Sequence, residues 1–132
     1  MVKISEIKKL VDEAHRLGLA GAEKLERYDE YSLATIYNGV GPAWMPAEFR
    51  ERLSDWLKVF LPAVLIHDVE YDEGGSYDDF CAANDRLETN CVTLGRDAHP
   101  WWSWRRYASY RAASLMAELC RKYGSAAWRG DA

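Results

Sequence analysis

The chain has 132 residues, of which 48% are hydrophobic and 29% charged, and its formal net charge is -4. That size and mix describe one globular domain able to bury a core without disulfides or a structural metal, and the negative balance argues against nucleic acid as a general partner. Three cysteines, Cys81, Cys91 and Cys120, are an odd number without metal-ligand spacing, which excludes a simple disulfide scaffold and leaves them as small buried hydrophobes.

The segment Met1-Val-Lys-Ile-Ser5 begins no apolar stretch with a cleavage site, and no apolar run is long enough to span a bilayer. The expected address is the cytoplasm or a particle assembled there, such as a phage. Ser5 is placed to cap a first helix with Ile7, Leu10, Val11, Ala14 and Leu17 on one face, ended by Gly18. Helix formers continue from Gly21 to about Ile36, up to the two-glycine stretch Tyr37-Asn-Gly-Val-Gly-Pro42.

Pro46 suits the first turn of a third helix bearing Phe49, Leu53, Trp56, Leu57 and Phe60 at helical spacing. Pro62 is read in the same way, as the start of a short fourth helix holding His67, Asp68 and Tyr71. Gly74-Gly75-Ser76 is the clearest break, and a fifth helix runs from about Tyr77 to Leu94 with the stripe Phe80, Ala83, Leu87, Cys91 and Leu94. After a second break, Gly95 to Pro100, a last helix extends from Trp101 to about Tyr123. With no alternating strand pattern and no repeat, the expectation is a single all-α domain covering residues 1–132.

Within these elements His67 and Asp68 stand side by side in the apolar run Pro62-Ala-Val-Leu-Ile-His-Asp-Val-Glu-Tyr71. Burial disfavours the charged forms of both groups, so partners or a metal must compensate. In the Tyr37 to Pro42 stretch, alternate glycines allow successive carbonyls to converge, and such oxygens suit a hard cation. Asp85 lies at the border of the stripe of its helix, where it could turn inward towards the imidazole; Asp78 and Glu88 are its rivals.

Taken together, Tyr37-x-Gly39-x-Gly41, His67-Asp68-x-x-Tyr71 and Asp85-Arg86, with Cys91 six residues after the acid, resemble the phospholipase A2 pattern in its compact prokaryotic and parvoviral form, over residues 37–91. The resemblance implies an antiparallel pair of helices carrying His-Asp and Asp. It further implies a Ca²⁺ ion on Asp68 and the carbonyls of Tyr37, Gly39 and Gly41, the Gly39 amide as an oxyanion donor, and His67 as general base. Asp85 would orient the imidazole, Tyr71 would hydrogen-bond Asp85, and the substrate would be a phospholipid acyl ester at a membrane surface. The helix from Pro46 to Phe60 is additional to that pattern, and Ala63, Val64 and Glu70 replace its half-cystines, leaving Cys91 unpartnered.

Two other readings stand beside it. A metal-dependent phosphohydrolase of the HD type would use His15, His67-Asp68 and Asp97 as ligands. A non-enzymatic phage or bacterial protein would keep the scaffold as an interaction module for a protein partner. The acidic run from Asp68 to Gly74 is not an EF-hand, since its glycine comes one place late and Asp79 stands where a bidentate Glu is needed. In His99-Pro-Trp-Trp-Ser-Trp-Arg-Arg-Tyr107, core packing of the last helix is expected to account for most of the rings, with a membrane-facing surface as the other reading.

Overall fold

The all-α expectation holds in outline. A computed structural model describes residues 2–37 and 47–132, and among them every regular element is helical. Helix α1, Ile4–Arg16, buries Ile7 and Ala14, and Gly18 closes it at φ 60°, the left-handed conformation that suits glycine. Its N-cap is Lys3 rather than Ser5, which falls inside the first turn. The continuous helix expected from Gly21 to Ile36 is split into a 3₁₀ turn, Ala22–Arg27, and helix α2, Glu30–Ile36. The split has a local cause: Tyr28 and Asp29 are extended, and the Asp29 carboxylate accepts from the Ser32 amide as a new N-cap.

Two helices expected on either side of Pro62 are one, α3, Ala47–Glu73. Proline inside a helix removes a hydrogen bond and crowds the preceding turn, at a cost of about 3 kcal/mol. The neighbours of Pro62 offset this, because Phe60, Ala63, Val64, Leu65 and Ile66 are all buried, as apolar side chains on every side of a central helix. Helix α4, Tyr77–Ala98, starts in a capping box formed by Ser76 and Asp79 and runs through Gly95, which is not the break expected there. Ser103 then caps α5, Trp104–Tyr123, and a 3₁₀ turn, Gly124–Ala127, follows.

Helix α4 lies antiparallel between α3 and α5, its two largest contacts. Gly95 permits the close approach of α5, since a Cβ there would lie 2.1 Å from Ser109 Oγ. The C-terminal residues fold back over the α3–α4 turn. Gly75 donates to the Arg129 carbonyl (3.0 Å) and accepts from the Asp131 amide (2.9 Å), while Arg129 N donates to the Tyr71 carbonyl (3.2 Å). At Gly74, φ is +70° and a Cβ would collide with the Arg129 carbonyl, so both the turn and its cover require glycine. The Trp128 ring closes this end against Tyr71 (5.1 Å between centroids) and Phe80 (5.5 Å). Among the described residues, no helix is long and apolar enough to cross a membrane.

Candidate functional site

Where the Trp128 cover meets α3 and α4 lies a buried polar cluster. His67 and Tyr71, four residues apart on α3, share one face, with ring centroids 4.2 Å apart. Both address Asn84 of α4: its Oδ1 lies 2.9 Å from His67 Nε2 and accepts from the Tyr71 hydroxyl at 2.8 Å. Asn84 has no solvent exposure and His67 is buried. Burial is the main cause holding the imidazole below its ordinary pKa, with the Asn84 hydrogen bond and the Glu70 charge acting in the opposite direction. His67 is therefore neutral near pH 7. Because Oδ1 can only accept, the imidazole proton sits on Nε2 and the lone pair on Nδ1.

This corrects the expected His67–Asp85 pair. Asp85 is exposed, and its carboxylate accepts from Arg121 of α5 at 2.8 Å. One residue along α4 is a rotation of about 100°, so the helix that turns Asn84 inward turns Asp85 out. The rival Glu88 also pairs with Arg121, at 3.0 Å, and Asp78 is exposed. The hydrogen bond expected from Tyr71 to Asp85 is not made; the Tyr71 hydroxyl donates to Asn84 instead. A sequence signal for Asn84 existed: it is four residues after Phe80 and three before Leu87, inside the buried stripe. Asn90, also in that stripe, has both ends of its amide satisfied by Ala20 N and O, whereas Asn84 Nδ2 is buried with no partner among the described residues.

Of the expected cation ligands, Gly39 and Gly41 lie outside the described residues. Tyr37 is buried, its hydroxyl pushed up to about 12 by burial and then by the charge of Asp68. Asp68 is half-buried, and its negative charge adds to burial, the main cause, in raising Tyr71 and Cys120, so these groups share one neighbourhood. Cys91 and Cys120 are buried free thiols, as expected, while Cys81 is half-buried. The phosphohydrolase set does not assemble. His15 is exposed against Glu26 (3.9 Å), and Asp97 accepts from Arg16 (2.9 Å), while His67 is buried against Asn84. No group of three or more His, Cys, Asp or Glu able to hold a metal occurs among the described residues.

Three residues after His67, Glu70 is almost fully buried and is held by the Arg86 guanidinium (Nε to Oε2 2.9 Å) and by Lys24 Nζ at 3.6 Å. This ion pair joins α3, α4 and the first 3₁₀ turn beside the polar cluster. Against family models, curated proteins and solved structures, the chain matches none.

Proposed function

We propose that the His67 cluster is a hydrolytic site for phospholipid acyl esters that works with Ca²⁺. The observation that carries the reading is the neutral imidazole held through Nε2 by an amide oxygen that a tyrosine also engages. Such an imidazole keeps its Nδ1 lone pair and can take a proton from water as general base. Asn84 orients the ring, and Tyr71, by donating to the same oxygen, holds that oxygen towards it. Asp68 and the Tyr37 carbonyl are the described groups that would hold Ca²⁺. Their oxygen chemistry suits a hard cation, and the pressure of the Asp68 charge on Tyr37 supports their being neighbours. When bound, the cation supplies polarisation of the ester carbonyl.

The amide partner also favours a second reading, an interaction protein that keeps the scaffold without turnover. A neutral Asn84 fixes the imidazole but offers no negative charge to stabilise imidazolium, and a carboxylate-to-amide change of this kind in a catalytic triad costs about four orders of magnitude. The two readings separate in one assay. Fatty-acid release from phospholipid vesicles in Ca²⁺ is expected to fall by roughly two to four orders of magnitude in His67→Gln, with the melting temperature little changed. Wild-type protein no faster than His67→Gln on anionic and zwitterionic vesicles would refute hydrolysis and leave the interaction reading.

A further inference from the structure

The rings after His99 do not enter the core as expected. Trp101, Trp102, Trp104 and Tyr107 are exposed by 71, 70, 68 and 55%, at the corner where α4 gives way to α5. Leaving such rings in water is unfavourable unless a partner covers them, and three tryptophans within four residues form a patch rather than scattered surface apolars. The patch is built to hold its shape. The Tyr107 hydroxyl donates to the Trp101 carbonyl (2.8 Å), pinning the turn to α5, and the Arg105 guanidinium lies 5.1 Å from the centre of the Trp104 ring. Trp104, Tyr107 and Arg111 follow at helical spacing along one stripe.

Charge identifies the occupant. Residues 96–111 contain four arginines and one acid, Asp97, which Arg16 already engages, although the whole chain is at -4. Arg16, Arg27, Arg86, Arg121 and Arg129 each pair with a carboxylate; among the described residues Arg96, Arg105, Arg106 and Arg111 do not. Arg106 Nε is in addition buried without a hydrogen-bond partner. Tryptophan favours the boundary between hydrocarbon and headgroups, and arginine binds phosphate.

We propose that this corner docks on an anionic lipid surface, the tryptophans entering the headgroup layer and Arg105 and Arg111 meeting lipid phosphates. The surface lies about 21 Å along α4 from Asn84, so docking does not rest on hydrolysis at His67 and serves either reading of that site.

Co-sedimentation tests it, using the full 132-residue chain. The probes are phosphatidylcholine vesicles with and without about one third phosphatidylglycerol, in chelator so that turnover plays no part. Binding is expected on the anionic vesicles and weaker in high salt. The triple variant Trp101→Ala, Trp102→Ala, Trp104→Ala should lose at least about tenfold in partitioning. Arg105→Ala with Arg111→Ala should lose roughly 25-fold, at about fivefold per arginine. The residues are exposed, so thermal melts of both variants should match wild type, and the arginine pair keeps the test decisive if the triple variant misfolds. Three outcomes overturn the proposal: no wild-type binding to anionic vesicles, binding unchanged in the arginine pair, or capture of an oligothymidine strand without any binding to vesicles.

Discussion

Asn84→Asp places a carboxylate where the amide oxygen now sits, 2.9 Å from His67 Nε2 and 2.8 Å from the Tyr71 hydroxyl. Both donors already point there, so the change is nearly isosteric. Unit charges about 4 Å apart attract by about 4 kcal/mol at an effective dielectric of about 20, equivalent to about three pKa units for the imidazole. Desolvation of a carboxylate at a position with no exposure takes back part of this, leaving a net rise for the imidazole. The pH dependence should then weaken. In wild type, the folded imidazole titrates below its unfolded value of about 6.5. Its contribution to stability is complete above that pH and is lost as the pH falls towards the folded value. In Asn84→Asp the folded value rises towards the unfolded one, so less of that contribution is lost as the pH falls. Denaturant melts at several values between about pH 5 and 8, each paired with an NMR titration of the imidazole C–H signals, measure both quantities, with His67→Gln removing the contribution of the other histidines. A variant whose stability still climbs with pH as in wild type would refute the idea that Asn84 sets the state of His67.

Two further substitutions probe the frame around the site. Gly95→Ala puts a methyl 2.1 Å from Ser109 Oγ and should destabilise by about 1–3 kcal/mol despite the better helix propensity of alanine; adding Ser109→Gly should recover much of the loss in denaturant melts, and a Gly95→Ala chain more stable than wild type would contradict the close α4–α5 contact. Trp128→Ala removes the ring packed on Tyr71 and Phe80 and the Nε1 bond to the Gly75 carbonyl (3.2 Å), so a loss of about 3–5 kcal/mol and faster amide exchange at Gly75 and Asp131 are expected; unchanged exchange would mean that the C-terminal residues do not cover the site.

The parts legible from sequence were those decided over a few neighbouring residues. The Gly74-Gly75-Ser76 break and the spacing of Phe80, Ala83, Leu87, Cys91 and Leu94 specify a turn and an amphipathic helix before any partner is known. The same is true of His67 and Tyr71 sharing a face, because their separation is one helical turn. Pro62 misled for a related reason: its local preference favours a helix start, and only the burial of Phe60 and Ala63 to Ile66 in a helix that packs against the four other α-helices outweighs it.

What tertiary structure alone decided was which polar side chain of α4 meets the imidazole. Asn84 and Asp85 differ by one step around the helix, and periodicity left Asp85 on the border. The choice was made by Arg121 on α5, which holds Asp85 at the surface, and by Tyr71 and His67 on α3, which supply two donors to the Asn84 oxygen in a place too dry for an unpaired carboxylate. The fate of the tryptophans was decided in the same way. Aromatic content on a terminal helix reads as core until the pinning of the Trp101 turn by Tyr107 directs the rings outward. Sequence by itself thus determined the helical class, the turn at Gly74-Gly75 and the face that carries His67, since those follow from propensity, turn residues and period. Partner identity at the site and exposure at the α4–α5 corner depend on contacts between residues far apart in the chain, which no local pattern encodes.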